Sequence, residues 1–569
     1  MADPPKTASP PEEAEPDADI SPPALRHTLR EQQRLVRVAD YYQGGDAAPA
    51  FLAAIQTADA SGRSVDIAGE WVFHSACYAS GYVARLVGHA KIDASAVADT
   101  YALVLGGTEG AAVPLSADAG IGDNELSCPL AVLAGDIIRL VSSEPWSSER
   151  RYYVKGELAW VAGSAGGTIT LHGQLNDSYT AAATTATRIN AKPVSIQDGI
   201  ELLRNANSGG ILVQWARELA LSRCFVQQAR ERSLYLKECL GGYVADCGCY
   251  ADHVPGGRTN YGLAFNSCAQ IHTVGGNYRA GRHAVSTGGT FPCRDLHFAD
   301  VEFDNDSASG TYCLDAHANG ERFSYSNVTS LNGAVVQAVD CHFIGGRFGS
   351  RNFLNALSVN PGHNNRYYSF SAVTIENPRV GGRGLTLSPA IRGLTIDGFV
   401  FSGGSVSADI PFYCIPDTAG DTRFGSIEFD SGFRLISVRP GPNVGSLVGP
   451  NVADPLIGRV LFANGSIVSY GAGIALVIRS AHKSIGYAGV LGCVIDHRGA
   501  NNCVLIRQAK QAQFSRNHGF GNGVSWRAEI SECDLAEARH NRMEGFTRDG
   551  GLYLVNNGTT VDEGNASSN

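Results

Sequence analysis

Two stretches of the chain set a histidine beside charged neighbours: "GRHAVSTGG", residues 281–289, and "CLDAHANGERF", residues 313–323. Between them lies "DVEFDND", residues 300–306. Read as strands, Leu314 and Ala316 suit an interior, which leaves Asp315 and His317 pointing out together. By the same alternation Val301 and Phe303 turn inward, and Glu302, Asp304 and Asp306 outward. Residues at i and i+2 lie about 6.6 Å apart on one face, and equivalent residues on neighbouring strands about 4.8 Å apart. Carboxylates on such a grid could serve as the acid and nucleophile, or acid and base, of glycoside hydrolysis, which uses separations of roughly 5 to 9.5 Å. An imidazole beside them could move a proton or orient a carboxylate. Arg282 or Arg322 near His317 could instead neutralise a uronate for lyase chemistry, or hold a phosphodiester.

The catalytic candidates are therefore Asp315, His317, Glu302, Asp304, Arg282 and His283, with Asp306, Glu321 and Arg322 as substrate contacts. His283 has two readings. Strict alternation groups it with Val285 and makes it a buried structural histidine; a bulge near Gly288 and Gly289, or a register with Ala284 inside, turns it out. "EPWSSERRYY", residues 144–153, adds Trp146 and Arg150, suited to stacking on a sugar or to a subunit contact. His518 and His540 fall at repeat positions and read as ladder or turn residues, and Trp215 and Trp526 as core.

These residues need a flat wall of stacked strands, and the rest of the chain supplies a pattern for one. Gly makes up 67 of 569 residues, well above the roughly 7% of ordinary chains. Met occurs only twice. From about residue 195 the chain iterates short alternating strands broken by Gly, Asn or Asp. "AQFSRNHGFG" (512–521) lies over "AEARHNRMEG" (536–545), and starts at 269, 294 and 321 repeat the unit. The fold class expected is all-β: a right-handed parallel β-helix of ten or more coils, whose stacked turns bury one continuous core.

The expected organisation is a disordered Pro- and acid-rich segment over 1–23 and a short helical stem over 24–43. A capping helix and first coil follow over 44–79, a small inserted β-domain over 80–192, the β-helix over 193–555, and a polar tail over 556–569. With a net charge of −10 and no basic cluster, the composition argues against a nucleic-acid surface. No apolar run reaches the roughly 18 residues that span a bilayer, and the N-terminus lacks the apolar core of a secretion signal. The 14 cysteines are dilute and single apart from Cys247 and Cys249, which fits core thiols better than disulfides or zinc. No cofactor and no metal are expected.

Three segments resemble a known family. "GGDAAPAFLAAIQTADASGRSVDIAGEWVF", residues 44–73, is similar to the capping helix and first coil of phage tailspikes and pectate-lyase-like β-helices. The usual "GDGxTDDT" is shortened here to "GGDAAP", and Ala68 stands where Pro is common. Residues 134–180 resemble an insertion of phage appendage proteins, and 281–330 resemble the β-helix of podovirus tail (preneck) appendage proteins, with Arg282, His283, Asp315 and His317 at matching positions. The resemblance implies a homotrimeric spike, attached to the phage tail or baseplate through its N-terminus. Such a spike binds and depolymerises a bacterial surface polysaccharide (capsule, LPS O-antigen or teichoic acid) at the host surface. A hydrolase is slightly preferred over a lyase; a teichoic-acid-type phosphodiesterase and a non-catalytic adhesin are the rivals.

Overall fold

The structure, a computed structural model, describes residues 35–147, 150–204, 208–253, 259–306, 310–390, 393–414, 422–439, 446–448, 456–470, 473–480, 482–522, 528–546 and 552–568. The chain winds as a parallel β-solenoid, each coil laying one short strand on each of three sheets. One coil shows the plan. Ala269–Val274 lies on sheet 1, Asn277–Ala280 on sheet 2 and His283–Gly288 on sheet 3, and Cys293–Ala299 then returns to sheet 1. Sheet 3 holds 16 strands among the described residues, in keeping with the ten or more coils expected. The repeat starts read from the sequence are true ladder partners, Ala269 pairing with Arg294 and Arg294 with Glu321.

Period-2 alternation turns one residue in two inward, and identical rungs stack like on like. Phe298, Tyr325, Phe343 and Phe370 form a continuous buried column with ring centroids 5.3, 4.8 and 4.5 Å apart. Each buried ring contributes about 2 kcal/mol of apolar burial, and each stacked pair roughly 0.5–1.5 kcal/mol more. All fourteen cysteines are free and buried, filling small inner positions.

The bend from sheet 1 to sheet 2 repeats one left-handed residue per coil: Asp246, Gly275, Asp300, Asn327, Gly345, Ala372 and Gly403 all have φ between 51° and 66°. This is why Asn, Asp and Gly mark the repeat. At Gly276 no other residue fits, because a Cβ would lie 2.0 Å from the Cys247 carbonyl oxygen. Asparagines continue the register inside the later bends. The Asn541 side chain accepts from the Asn517 backbone at 2.9 Å, and Asn565 does the same for Asn541, each at an offset of 24 residues.

The helix Ala48–Ser61 closes the N-terminal end, its Phe51 edge-on to Trp71 and Phe73. Pro49 sits in its first turn, and Gly62 ends it in the left-handed region at φ 66°. Of the stem expected over 24–43, residues 24–34 lie outside the described residues, as does the segment 1–23. Leu35–Arg37 is not helical but a strand paired with Ser64–Asp66, and Val38–Asp40 forms a single 3₁₀ turn. The expected tail contributes two further rungs, Thr559–Glu563 and Ala566–Ser568.

The insertion is narrower than 80–192. Ala84–Val87, Ala90–Asp93 and Tyr101–Gly106 are ladder strands of the solenoid, whose alternation also suits a small β-domain. Thr108–Pro114 opens a six-stranded antiparallel sheet that ends at Thr184–Asn190. Lys192–Ile196 then pairs directly with Ala84–Val87, so the solenoid resumes where it paused.

This small domain lies against sheet 1 through Ile137, Leu158, Ile189, Leu240 and Phe291. Gly156 allows the close approach, since a Cβ there would meet Phe291 at 2.8 Å. Trp215, expected in the core, is half-buried at this junction and donates from Nε1 to Glu238 at 2.8 Å. Its backbone, at φ 51°, takes the bend into sheet 1 and turns the ring outward.

Candidate functional site

The outer face of sheet 3 carries one aligned column that runs Tyr78, Val104, Leu212, Tyr235, Ala264, Ser286, Asp315, Val335, Ser358, Thr386 and Tyr413. The same register continues through Leu447, Val477 and Leu505 to Glu529, so Asp315 and Glu529 are the charged residues of the column. Leu314 and Ala316, the neighbours of Asp315 on the strand Leu314–Ala316, are buried in the core, as alternation requires. An acid placed here forgoes β-propensity and solvation, and its partners show what it gains.

The carboxylate oxygen Oδ2 of Asp315 lies 3.2 Å from His317 Nε2 and 3.3 Å from His283 Nε2. The two contacts differ in kind. A carboxylate only accepts, so His317 carries its proton on Nε2 and presents the Nδ1 lone pair to the Tyr153 hydroxyl, 3.5 Å away. Thr287 Oγ1 accepts from the His317 backbone N–H at 3.0 Å and fixes the residue. His283, by contrast, must donate from Nδ1 to the Tyr312 carbonyl at 2.6 Å. Its Nε2 has no hydrogen-bond partner despite the 3.3 Å approach to Asp315. Burial pulls the His283 pKa from 6.5 to about 4 against the opposing pull of Asp315, so the ring is neutral near pH 7.

Burial pushes the Asp315 carboxyl up. The His317 hydrogen bond, with the charges of His317, His283 and Arg282, outweighs it and holds the group below its ordinary value. Because His283 is neutral near pH 7, the His317 bond and Arg282 carry that effect there. Arg282 lies over the Tyr261 ring at 5.7 Å, and the same ring packs on His283 at 5.0 Å. Burial, and then Tyr152, push the Tyr153 hydroxyl far above its usual range, with Arg150 pulling the other way, so it stays protonated as a donor.

His283 reaches this face because alternation fails beside it. Ala284 and Val285 both join the core, which leaves His283 on the outer side although it is only 2% exposed. The residue is thus buried and still belongs to the outer cluster.

The structure brings together Asp315, His317, His283 and Arg282, with Arg150 reaching them through Tyr153. It does not bring Glu302, Asp304 or Asp306 to them. The strand Glu302–Asn305 belongs to sheet 2, around a corner from sheet 3. There Glu302 accepts from Asn277 at 2.7 Å, buried Asp304 pairs with Arg351 at 3.1 Å, and Asp306 accepts from the His253 backbone N–H at 3.2 Å.

Glu321 and Arg322 are spent on the inserted domain. Arg294, 3% exposed, donates to Glu321, to Asp177 and to the Gly156 carbonyl at 2.9, 2.6 and 2.7 Å. Arg322 binds Asp295 and Asn176. Trp146 is buried against His363, their ring centroids 4.4 Å apart, so it is not an open sugar platform. His540 sits at a left-handed bend, and His518 lies 3.4 Å from Glu544; Trp526 lies outside the described residues.

Sequence reasoning missed Tyr153, Tyr261 and Tyr312. Tyr153 was quoted only as part of an aromatic loop, and no local signal links it to His317, 164 residues on. Tyr261 was legible in principle, one coil before His283 in register.

Residues 232–352 match the family model Gp49, pectin lyase-like, a segment that contains the whole sheet 3 cluster except Tyr153 and Arg150. No curated protein sequence matches the chain. Three solved structures resemble it. The tailspike gp49 of Pseudomonas phage LKA1 aligns at a TM-score of 0.57 and 18% identity, covering 83% of each chain. The Gp54 tailspike of Acinetobacter baumannii bacteriophage AP22, in complex with A. baumannii capsular saccharide, aligns at 0.55 and 15% identity, covering 86% of this chain and 78% of that one. The Pseudomonas phage phi297 tailspike gp61 aligns at 0.50 and 15% identity, covering 92% and 82%. The chain is thus a parallel β-solenoid of the fold those tailspikes share, and its residues 232–352 are similar to the Gp49 pectin lyase-like model.

Proposed function

We propose that the chain is a phage tailspike that binds and depolymerises a bacterial surface polysaccharide during adsorption, cutting within the polymer along the sheet 3 wall. It acts as a homotrimer on the virion tail. The likeness to tailspikes, one of them solved with a capsular saccharide, supports the context. The observation that carries the chemistry is the Asp315–His317–Tyr153 chain of contacts, at 3.2 and 3.5 Å, with Arg282 beside it.

In this reading the reaction is β-elimination on a uronate-containing glycan. His317 Nδ1 takes the proton α to the uronate carboxylate. Asp315 stabilises the resulting imidazolium from Nε2, and Arg282 offsets the substrate's carboxylate. The electron pair of the broken C–H bond becomes the new C=C bond as the glycosidic C–O bond breaks, and the Tyr153 hydroxyl protonates the departing oxygen. Hydrolysis would need a second carboxylate at the site, and the acids expected to supply it, Glu302 and Asp304, face another wall.

The same His, Asp and Arg set also favours a second reading, cleavage of a teichoic-acid-type phosphodiester, told apart by phosphate-ester ends on the fragments. The test is incubation of the protein with host envelope polysaccharide, followed by polymer size. The reading expects size to fall throughout the incubation. Binding without any fall in size would make the protein an adhesin and refute the enzyme.

A further inference from the structure

A second feature lies at the root of the inserted domain, on the N-terminal side of its contact with sheet 1. A cavity of about 250 Å³ there is lined by Arg85, Lys192 and Arg217 from the solenoid and by Gly135 and Asp136 from the insertion. The pairing of Lys192–Ile196 with the strands on either side sets these cations on three consecutive coils, offset from one another in register. Ser195 sits opposite Arg85, Lys192 opposite Ala216 and Pro193 opposite Arg217.

The cavity's one carboxylate is already engaged. Asp136 binds Arg188 through both oxygens, at 2.9 and 3.1 Å. Arg217 donates once, to the Gly135 carbonyl at 3.3 Å, while its Nε is fully buried with no acceptor. Neither Arg85 nor Lys192 has an ion-pair partner among the described residues. In a chain of net charge −10, exposed Arg85 and half-buried Lys192 and Arg217 line one pocket, and the buried Nε–H of Arg217 has no acceptor there.

We infer that this cavity is an anion-binding site, distinct from the sheet 3 wall, that takes the carboxylate or phosphate group of an acidic polymer. As an anion site it stands on the cavity alone. Its use as a second holding point for the polysaccharide rests on the function proposed above.

The probes are inorganic phosphate, a galacturonic acid oligomer and a neutral galactose oligomer, titrated calorimetrically into the full chain at low salt. The wild type is expected to bind one or both anions but not the neutral oligomer, with affinity falling as salt rises. The Arg85→Glu/Lys192→Glu double variant should bind at this site at least ten-fold more weakly. Should that variant fold poorly, the melting temperature of the wild type provides the second readout and should rise with the bound anion. Equal binding by wild type and a folded double variant, or neither binding nor a thermal shift in the wild type, overturns the site.

Polymer cleavage measured alongside separates the two ideas. If Asp315→Asn stops cleavage while the double variant binds normally, the anion site fails alone. If the double variant loses binding and no variant or wild type cuts any polymer, the anion site stands and the proposed function fails.

Discussion

Replacing Asp315 by Asn tests the relay at its most loaded point. The carboxylate faces His317 Nε2 at 3.2 Å. With unit charges and an effective dielectric of about 20, Coulomb's law gives about 5 kcal/mol of support for the imidazolium that forms when His317 takes a proton. His317 keeps 22% of its side chain in solvent, which screens part of this and leaves about 3–5 kcal/mol. At about 1.4 kcal/mol per decade, cleavage should slow roughly 10²- to 10⁴-fold. Asn can also donate to Nε2, which would favour the tautomer with its proton on Nδ1, facing Tyr153. The two effects act in the same direction. The assay is the initial rate at which polymer size falls, with circular dichroism to show that the fold persists. A folded Asp315→Asn protein within ten-fold of the wild-type rate would refute the relay.

Four further outcomes are expected. Tyr153→Phe should slow cleavage by roughly two to four decades, the usual contribution of a general acid, with the fold unchanged; a wild-type rate would remove the insertion from the chemistry. Glu302→Gln and Asp304→Asn should each stay within a few-fold of wild type, and a large loss in either would put the second wall back into catalysis. Arg294→Met leaves Asp177 without its buried counter-charge and Glu321 with Arg322 alone, and should cost about 3–5 kcal/mol in denaturant unfolding, loosening the insertion from sheet 1; no change would mean that the apolar contacts suffice. His283 takes its proton at about 4 in the fold but at 6.5 when unfolded, so the unfolded chain holds more protons between those values. Its contribution is therefore complete above pH 6.5 and lost as pH falls toward 4, by about 3 kcal/mol at 1.36 kcal/mol per pKa unit. His283→Gln should flatten that part of the stability profile, and an unchanged slope would contradict a buried neutral ring.

Much of the solenoid was legible because its rules are local. The starts at Ala269, Arg294 and Glu321 could be read from Gly and Asp bends and two-residue alternation, and they pair one to one. Alternation also turned Asp315 and His317 outward together. Where local rules end, so did the reading. Glu302 and Asp304 lie on sheet 2 and not on the sheet that carries Asp315, and periodicity along a strand carries no information about that placement.

His283 escaped strict alternation because consecutive Ala284 and Val285 both face the core. The insertion was recognisable as a small β-domain, but its docking depends on the buried Arg294 cluster and on contacts such as Gly156 against Phe291, which join residues far apart in the chain. That docking buries Trp146 against His363 and brings the Tyr153 hydroxyl to His317 instead.

If this wall cuts a glycan by elimination, the products report on it directly. Fragments made in heavy-oxygen water can be weighed by mass spectrometry and scanned for unsaturated uronate absorbance. Elimination leaves a new unsaturated end at every cut and takes up no label from water. One labelled oxygen per cut and no unsaturation would contradict it and make the enzyme a hydrolase.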